Sequence, residues 1–222
     1  VYSSLQEKYN DIETYNAWKK DTIEVNKITL MNNGTQSSRK SPQVLQMIQH
    51  LSENADHVII QTPYVICNGY MYDVLQEISD HAKLQIVLNA VEKGSNPWGC
   101  TDYLNQKKKI LKTGADVYEL MNEYPVHTKA VLIDDRLSVV GSYNLDMRST
   151  YLDTELMLVI DSEKLNQQIR ARETEYMEKS KEVLVNGQET EGAKYKAKIL
   201  NGKKKLYYGV LRFIIRPFRQ LL

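Results

Sequence analysis

Apolar and polar positions alternate along most of the chain in a way that predicts strands and helices in turn. The segments KITLMNN, DHVIIQTPYVI, AKLQIVLNAV and ADVYELM have the apolar, β-branched pattern of strands. Between them, PQVLQMIQHLSEN, GYMYDVLQEISDH and TDYLNQKKKILKTG have helical spacing; Ser41 and Pro42 form a helix start signal, and Gly114 ends the last of these helices. This order predicts a sheet with helices packed on it.

Four further segments complete the predicted fold. HTKAVLI and RLSVVGS flank Asp134 and Asp135 as two strands, ELMLVIDS is another strand, and EKLNQQIRARETEYMEKS is a charged helix. Strands joined by short turns pair antiparallel, whereas strands joined through helices pair parallel. The predicted fold class is therefore α/β, with a mixed β-sheet flanked by helices on both faces and antiparallel strands in its C-terminal part.

The two ends of the chain differ from this main domain, which is predicted to span residues 27–184. Residues 185–222 are predicted to be a basic linker followed by an amphipathic segment. Residues 1–26 are predicted to be a helical connector with a weak apolar stripe at Leu5, Tyr9, Ile12, Tyr15 and Trp18.

The C-terminal segment LYYGVLRFIIRPFRQLL allows two interpretations. A helix would carry Arg212, Arg216 and Arg219 on one face, with apolar residues around the rest, after the lysine run at 203–205. This pattern is typical of a helix in a membrane interface, although Pro217 should bend it. The alternative is a helix docked on the protein's own core.

Composition favours one folded domain and gives no global charge signal. The 222 residues are 42% hydrophobic and 26% charged, as in ordinary globular proteins. The net charge is +1, so nucleic acid or an anionic membrane would have to be bound by a local patch. Cys67 and Cys100 are too few for a disulfide framework or a cysteine metal site, and we expect reduced thiols in the cytosol. No apolar run approaches the ~18 residues of a membrane span, and VYSSLQEKYN lacks the signal-peptide pattern.

The candidate chemistry lies in the predicted strands after ADVYELM. His127 and Lys129 are two residues apart in a predicted strand, so their side chains leave the same face and can contact one ligand. Lysine binds an anion as a point charge, and a neutral imidazole can attack or accept a proton. Ser142 and Asn144 follow Gly141, which lets the backbone approach closely, and their hydroxyl and amide can bind phosphate oxygens. The four side chains together predict a phosphate site.

These residues complete the pattern HxKx4Dx6GSxN, which resembles the phospholipase D superfamily; its members here are His127, Lys129, Asp134, Gly141, Ser142 and Asn144. The segments QTPYVICNGYMYDVLQEI, QIVLNAV and SYNLDMRSTYLDTEL resemble the C-terminal half of bacterial cardiolipin synthases, so the resemblance covers about residues 27–165. A second HxK, at His81 and Lys83, lacks the rest of the pattern, and we expect His81 to be the polar end of a helix.

The resemblance implies a mechanism that needs two HxK motifs at one active site. One histidine attacks phosphorus to give a phosphohistidine, and the other protonates the leaving alcohol and then activates the incoming alcohol or water. The motif permits either assignment, and by resemblance His127 is expected to be the acid and base partner. No metal or cofactor is expected, because fixed donors supply the electrostatic stabilisation.

The resemblance also assigns roles to single residues. Glu155, in DTELML, is expected to hold the other ring nitrogen of His127 as in a catalytic triad; the alternative is a surface strand glutamate. Asp134 lies in the turn that ends the strand of His127 and is expected to be structural, as is Gly141. The expected catalytic residues are His127, Lys129 and Glu155, and the expected phosphate-binding residues are Lys129, Ser142 and Asn144.

One HxK motif is half of such a site. The chain begins at Val1 without an initiator methionine, and residues 1–25 resemble the connector that follows the first motif in cardiolipin synthases. We therefore expect the second half of a longer two-motif protein, which would need its first HxK half-domain for activity. The alternative is a single-motif protein that forms the site as a twofold dimer.

Three functions remain open. The leading hypothesis is a cardiolipin synthase-like phosphatidyltransferase, or a related phospholipase D, that acts on an anionic phospholipid such as phosphatidylglycerol while peripheral on the cytoplasmic face of the cytoplasmic membrane. The alternative is a phosphodiesterase or endonuclease that works as a single-motif homodimer. In that case the lysine run at 107–109 and Lys112 would bind along a nucleic-acid backbone. Such a run on a helix is usually a solvated face, so nucleic acid is the less expected partner. The third is a noncatalytic lipid-binding module.

Overall fold

The computed structural model describes residues 22–35 and 40–221. The strands are β1 Lys27–Asn32, β2 His57–Gln61, β3 Val65–Ile66, β4 Lys83–Asn89, β5 Asp116–Leu120, β6 Ala130–Ile133, β7 Leu137–Gly141, β8 Leu145–Asp146, β9 Leu156–Asp161, β10 Ser180–Val183 and β11 Glu189–Glu191. The helices are α1 Gln43–Ser52, α2 Gly69–Ser79, α3 Pro97–Lys112, α4 Met147–Tyr151, α5 Glu163–Glu178 and α6 Gly202–Ile214, followed by a 3-10 helix at Arg216–Leu221.

Nine of these strands form one mixed sheet in the order β1-β9-β7-β6-β2-β4-β5-β10-β11. Strands β2, β4 and β5 are parallel, as the helices between them require, and the remaining pairs are antiparallel. The short strands β3 and β8 form a separate parallel pair. The predicted fold class, a mixed α/β sheet with antiparallel strands toward the C-terminal part, is confirmed.

Successive residues of the central strands face opposite sides of the sheet, and each side is covered by helices. Val58 and Ile60 of β2 belong to the larger core, which contains buried residues of α1, α2 and α3. Ile59 and Leu132 belong to a smaller core on the other side, against which Ile169 of α5 packs. Strand alternation therefore explains why the central strands are apolar throughout: both of their faces are buried.

Several boundaries differ from the prediction for local reasons. Pro63 divides the predicted strand DHVIIQTPYVI into β2 and β3, since proline cannot donate a ladder hydrogen bond. Helix α1 begins at Gln43, because Pro42 occupies the cap position. Helix α3 begins at Pro97 because the Asn96 side chain accepts hydrogen bonds from the next backbone N–H groups. Strand β6 begins only at Ala130, so HTK precedes the strand and does not belong to it.

The C-terminal part contains more structure than the sequence indicated. The predicted helix through Ser180 ends at Glu178, and β10 and β11 then form a hairpin that extends the sheet beside β5. The expected basic linker after residue 184 thus includes a short strand, Glu189–Glu191, whose residues are all exposed. The hairpin has few apolar residues, and its pairing with β5 is a tertiary interaction, so the apolar periodicity of this segment does not reveal it.

Helix α6 packs against α3, with Tyr208 and Leu211 buried between them. One face of the predicted C-terminal helix is thus docked on the protein, as the second interpretation expected. The predicted connector helix falls almost entirely on residues 1–21, which lie outside the described residues. Over the described ranges, no helix has the length and apolar character needed to cross a bilayer.

Candidate active site

The pairing of β6 with its neighbours brings the two halves of the motif together. Ala130, the first residue of β6, is opposite Gln61 at the carboxyl end of β2 and opposite Val140 on β7. The backbone N–H of Gly141 donates to the carbonyl of Lys129 at 3.4 Å. The residues before β6 and those after β7 therefore lie side by side at the carboxyl end of the parallel strands, where α/β sheets form their ligand crevices.

His127 and Lys129 contact each other directly. The Lys129 Nζ lies 2.6 Å from Nδ1 of His127 and 2.9 Å from the His127 carbonyl oxygen. The same Nζ lies 3.2 Å from Nε2, so the ammonium contacts both ring nitrogens, and it can donate to whichever of them is unprotonated. The His127 side chain is otherwise exposed, which leaves the ring accessible from solvent.

The surroundings of the pair favour a neutral imidazole. Burial lowers the pKa of His127, and the Lys129 cation lowers it further. Burial also lowers the pKa of Lys129, while the carboxylates of Glu155 and Asp146 act in the opposite direction. A neutral imidazole beside a cation can accept a proton or attack an electrophile, and the cation can hold a phosphate oxygen.

Ser142 and Glu155 form the second pair of the site. The Ser142 hydroxyl donates to Oε2 of Glu155, and Ser142 Oγ itself accepts from the Leu156 backbone N–H at 3.0 Å. Glu155 is buried, whereas Ser142 is exposed. Gly141 makes this contact possible, because a Cβ there would overlap the Leu156 carbonyl oxygen of the adjacent strand.

The predicted contact between Glu155 and His127 is not formed in this structure. Within residues 22–35 and 40–221, no hydrogen bond or ion pair joins the two side chains; Glu155 binds Ser142, and His127 binds Lys129. The carboxylate is nevertheless close enough to Lys129 to act on its pKa. The orienting role of Glu155 therefore stays a prediction. It requires the imidazole to turn from Lys129 toward Glu155 when a phosphate binds the Lys129 ammonium.

Asn144 is held by the turn that follows it. Its backbone N–H and its side-chain Nδ2 both lie within hydrogen-bond distance of Ser149 Oγ, at 3.3 and 3.2 Å. Asp146, whose pKa burial raises to about 6, caps α4 by accepting from the Ser149 backbone N–H at 2.6 Å. The cap fixes Ser149 and so fixes the amide of Asn144 beside the site.

Asp134 lies at the other end of β6, away from His127. Its backbone has φ 44°, a left-handed conformation that aspartate tolerates in turns. Its Oδ1 accepts from the backbone N–H groups of Asp56 and His57, both at 2.9 Å. This geometry supports a structural role, since the side chain joins the β6–β7 turn to the start of β2.

Two buried asparagines that support the site were not singled out from the sequence. Asn89, at the end of β4, bonds the backbone of Val126 with both ends of its amide. Asn33 donates to the Ser149 carbonyl at 2.6 Å, and its backbone N–H donates to the Glu155 carbonyl at 3.1 Å. Asparagine at the end of a strand pattern usually indicates a turn, so nothing in the sequence distinguished these two.

The other histidines with a neighbouring lysine lie at the opposite edge of the sheet. His57 and Lys83 begin β2 and β4 and are register partners there. The His81 ring contacts the Ser52 carbonyl at 2.8 Å, where it joins the ends of two helices. The described part of the chain thus contributes one histidine to the site. Among the same residues, no group of three or more His, Cys, Asp or Glu side chains is placed to hold a metal ion.

Comparisons with known proteins identify a matching family and relatives that the chain resembles. The family described as "Cardiolipin synthase, PLD-like domain" matches residues 47–176, more than half of the chain. Cardiolipin synthase A of Klebsiella pneumoniae is 30% identical over 131 residues, which are 57% of this chain and 26% of that protein. The matched region thus spans about a quarter of the length of this relative.

Two solved structures share the fold. Phosphatidylserine synthase of Haemophilus influenzae is similar with a TM-score of 0.62 at 15% identity, over 98% of this chain and 55% of that chain. Nuc of Salmonella typhimurium, a phospholipase D family member, is similar with a TM-score of 0.55 at 12% identity, over 75% of this chain and 100% of that chain.

Proposed function

The chain belongs to the phospholipase D superfamily, and from this we propose that it supplies one half of the active site of a cardiolipin synthase-like phosphatidyltransferase. The observation that carries the proposal is the accessible His127 and Lys129 pair beside the exposed hydroxyl of Ser142, with a buried carboxylate, Glu155, behind it. A phosphodiester bound there would meet a cation, a hydroxyl, an amide and an imidazole at once.

The reaction is a double displacement at phosphorus. The histidine of one motif forms a bond to phosphorus while the bond to the leaving alcohol breaks, and the histidine of the other motif gives that alcohol its proton. The second alcohol then attacks the phosphohistidine, loses its proton to the same acid and base group, and releases the first histidine. We assign the acid and base role to His127.

The other named side chains stabilise and orient the reacting groups. Lys129, Ser142 and Asn144 bind the phosphate oxygens, which carry more negative charge in the transition state than in the substrate. Glu155 orients the His127 ring once the phosphate draws Lys129 away, because a carboxylate that accepts from one ring nitrogen keeps the other available for proton transfer. The step needs no metal.

The site needs a second HxK half-domain, because one imidazole cannot be bonded to phosphorus and protonate the opposite, departing oxygen. We propose that this half-domain lies upstream in the same polypeptide. We further propose an anionic phospholipid such as phosphatidylglycerol as substrate, and a peripheral position on the cytoplasmic face of the membrane. The relatedness to cardiolipin synthase A supports the substrate class.

The test uses the natural protein that contains this chain, supplied with phosphatidylglycerol vesicles. Conversion to cardiolipin and glycerol is followed by mass spectrometry for the wild type, His127→Ala and the control His57→Ala, a histidine at the opposite edge of the sheet. We expect His127→Ala to lose turnover and His57→Ala to keep it. Equal turnover in all three proteins would remove His127 from the mechanism.

A single-motif homodimer with phosphodiesterase activity is the second candidate. Its support is that the whole Nuc chain in its solved structure is covered by 75% of this chain, so that chain consists of one such domain. The mass of the natural protein, detected through the peptide AVLIDDR, separates the two arrangements. A mass near 25.7 kDa would require a dimer, and a mass of twice that or more would place both motifs in one polypeptide.

A further inference from the structure

The C-terminal elements present an unusual number of apolar side chains to solvent. Six large ones on α6 and the 3-10 helix are between 48% and 71% exposed, and we call them the outer face: Leu206, Tyr207, Val210, Phe213, Ile214 and Phe218. The five on α6 follow the spacing i, i+1, i+4, i+7 and i+8, which places them on one side of the helix. Contiguous exposed apolar surface of this kind marks an interaction site.

The outer face is held in a fixed orientation because the opposite side of α6 is anchored. Tyr208, Leu211 and Ile215 are buried against the body of the protein. Arg212 Nε donates to Asn105 Oδ1 at 2.8 Å, and Asn105 Nδ2 donates to the Arg212 carbonyl at 3.0 Å. Two of the three arginines of the predicted arginine face, Arg212 and Arg219, bind α3, so that side of the segment faces the protein and the apolar side faces outward.

The charges around the outer face select an anionic partner. Lys203, Lys204 and Lys205 lie in the first turn of α6, and all three are exposed. At the other end, Arg216 lies over the ring of Phe213, 5.2 Å from its centroid. The sequence has no Asp or Glu after Glu191. A second copy of this surface would repel the first, whereas a bilayer with anionic headgroups offers both negative charge and an apolar interior.

The outer face also adjoins the candidate active site. The 3-10 helix packs against α4, and Arg219 Nη2 donates to the Cys67 carbonyl at 2.9 Å. Cys67 follows β3, whose partner β8 begins at Leu145, the residue after Asn144. A lipid surface that contacts Phe218 is therefore next to the element that fixes one of the phosphate-binding residues.

We propose that the outer face lies in the headgroup region of an anionic bilayer and brings the site to phosphodiesters in that surface. Lipid binding by the outer face does not depend on the proposed function. Only the role of this binding, to bring the site to its substrate, rests on the proposed function. The six side chains enter the boundary between headgroups and acyl chains, while the basic residues at both ends of the face contact lipid phosphates.

The experiment measures co-sedimentation of the full chain with vesicles of phosphatidylcholine alone or mixed with phosphatidylglycerol. We compare the wild type with Leu206→Glu/Phe213→Glu and with Val185→Glu/Ile199→Glu, which adds the same two charges at exposed apolar residues outside the outer face. We expect the double variant to bind mixed vesicles at least about tenfold more weakly, since burial of each large apolar side chain is worth that much. Val185→Glu/Ile199→Glu should bind like the wild type, and circular dichroism verifies folding.

Four results would overturn the proposal. These are absent binding by the wild type, undiminished binding by the double variant, equal binding to neutral vesicles, and a wild-type dimer in the absence of lipid that the double variant abolishes. Failure of the proposed function gives a different result, since His127→Ala should bind vesicles normally whatever its turnover. If Leu206→Glu/Phe213→Glu in the natural protein fails to bind vesicles but still cleaves a short-chain, water-soluble phosphodiester, the outer face serves lipid binding and the site is intact.

Discussion

Asn89 bonds both polar groups of the Val126 backbone. Its Nδ2 donates to the Val126 carbonyl and its Oδ1 accepts from the Val126 N–H, both at 2.8 Å, while Nδ2 also reaches the Pro63 carbonyl at 3.2 Å. Val126 directly precedes His127, in a segment that has no strand partners of its own. The backbone next to the imidazole is therefore held by a buried side chain at the end of β4, which fixes this segment to the sheet.

Substitution of Asn89 tests this positioning. We expect Asn89→Ala to lower kcat of the natural protein by more than tenfold with a smaller effect on KM, because displacement of a reacting group costs transition-state stabilisation. Asn89→Asp keeps the acceptor for the Val126 N–H and should recover part of the rate. Asn68→Ala, which removes the N-cap of α2, is the stability-matched control. If Asn89→Ala and Asn68→Ala lower kcat equally, the effect is one of stability alone.

The titration of His127 tests the contact with Lys129. Burial and the Lys129 cation both hold the pKa of His127 below its usual value. Lys129→Met removes the cation, so the charged imidazole becomes less unfavourable and the pKa should rise. The chain has four histidines, and NMR titration with His127→Ala for assignment resolves the relevant one. An unchanged pKa in Lys129→Met would show that the cation does not act on the ring.

How far the sequence predicts this molecule depends on the range of the interactions involved. The alternation of apolar segments predicted the mixed α/β sheet, because each central strand is apolar through burial and each helix has one apolar face. The turn at Asp134 and Asp135 predicted that the residues before β6 and those after β7 lie side by side, because these two strands pair antiparallel in a fixed register. Both are local signals.

The features that the sequence did not predict depend on partners far apart in the chain. Strand β10 exists as part of the sheet because Ser180–Val183 pairs with β5, some sixty residues earlier. The outward side of α6 and the 3-10 helix depends on Asn105 and Asp102 of α3, which bind Arg212 and Arg219 and lie outside the C-terminal segment. The pairing of Glu155 with Ser142, instead of His127, likewise depends on side-chain placement across β7 and β9.

Glu173 makes stability depend on pH. Its side chain is buried on α5, its Oε2 has no hydrogen-bond partner in the part of the chain that the structure describes, and burial raises its pKa to about 8. The unfolded carboxyl has a pKa of about 4.3. Between these two pKa values the folded state keeps the proton of Glu173 and the unfolded state releases it. The contribution of the protonated Glu173 to stability is therefore full below about pH 4 and is lost as the pH rises toward 8.

Glu173→Gln removes this dependence while keeping a neutral side chain of the same size. We expect its free energy of unfolding to exceed that of the wild type at pH 8 and the difference to shrink toward pH 5, as measured by urea denaturation. Glu175→Gln, an exposed position on the same helix, is the control and should show no such trend. A difference that does not change with pH would mean that Glu173 is ionised in the folded protein.

Arg219 supplies the partner of a carboxylate that is otherwise enclosed. Asp102 on α3 is fully buried, and the Arg219 guanidinium binds both of its oxygens, with Nη2 and Oδ2 3.1 Å apart. Arg219→Ala leaves that charge in the interior without compensation, so we expect a loss of about 3–5 kcal/mol in the free energy of unfolding. Arg172→Ala breaks an exposed ion pair with Glu175 and should cost at most about 1 kcal/mol.

The double variant Asp102→Asn/Arg219→Ala separates charge burial from loss of packing. If the cost of Arg219→Ala comes from the stranded carboxylate, replacing that carboxylate by a neutral amide should restore most of the lost stability in urea denaturation. If it comes from loosening of the 3-10 helix, the double variant should be no more stable than Arg219→Ala. Recovery would mean that Arg219 stabilises the fold chiefly by compensating the buried charge of Asp102, and that the 3-10 helix keeps its place without this ion pair.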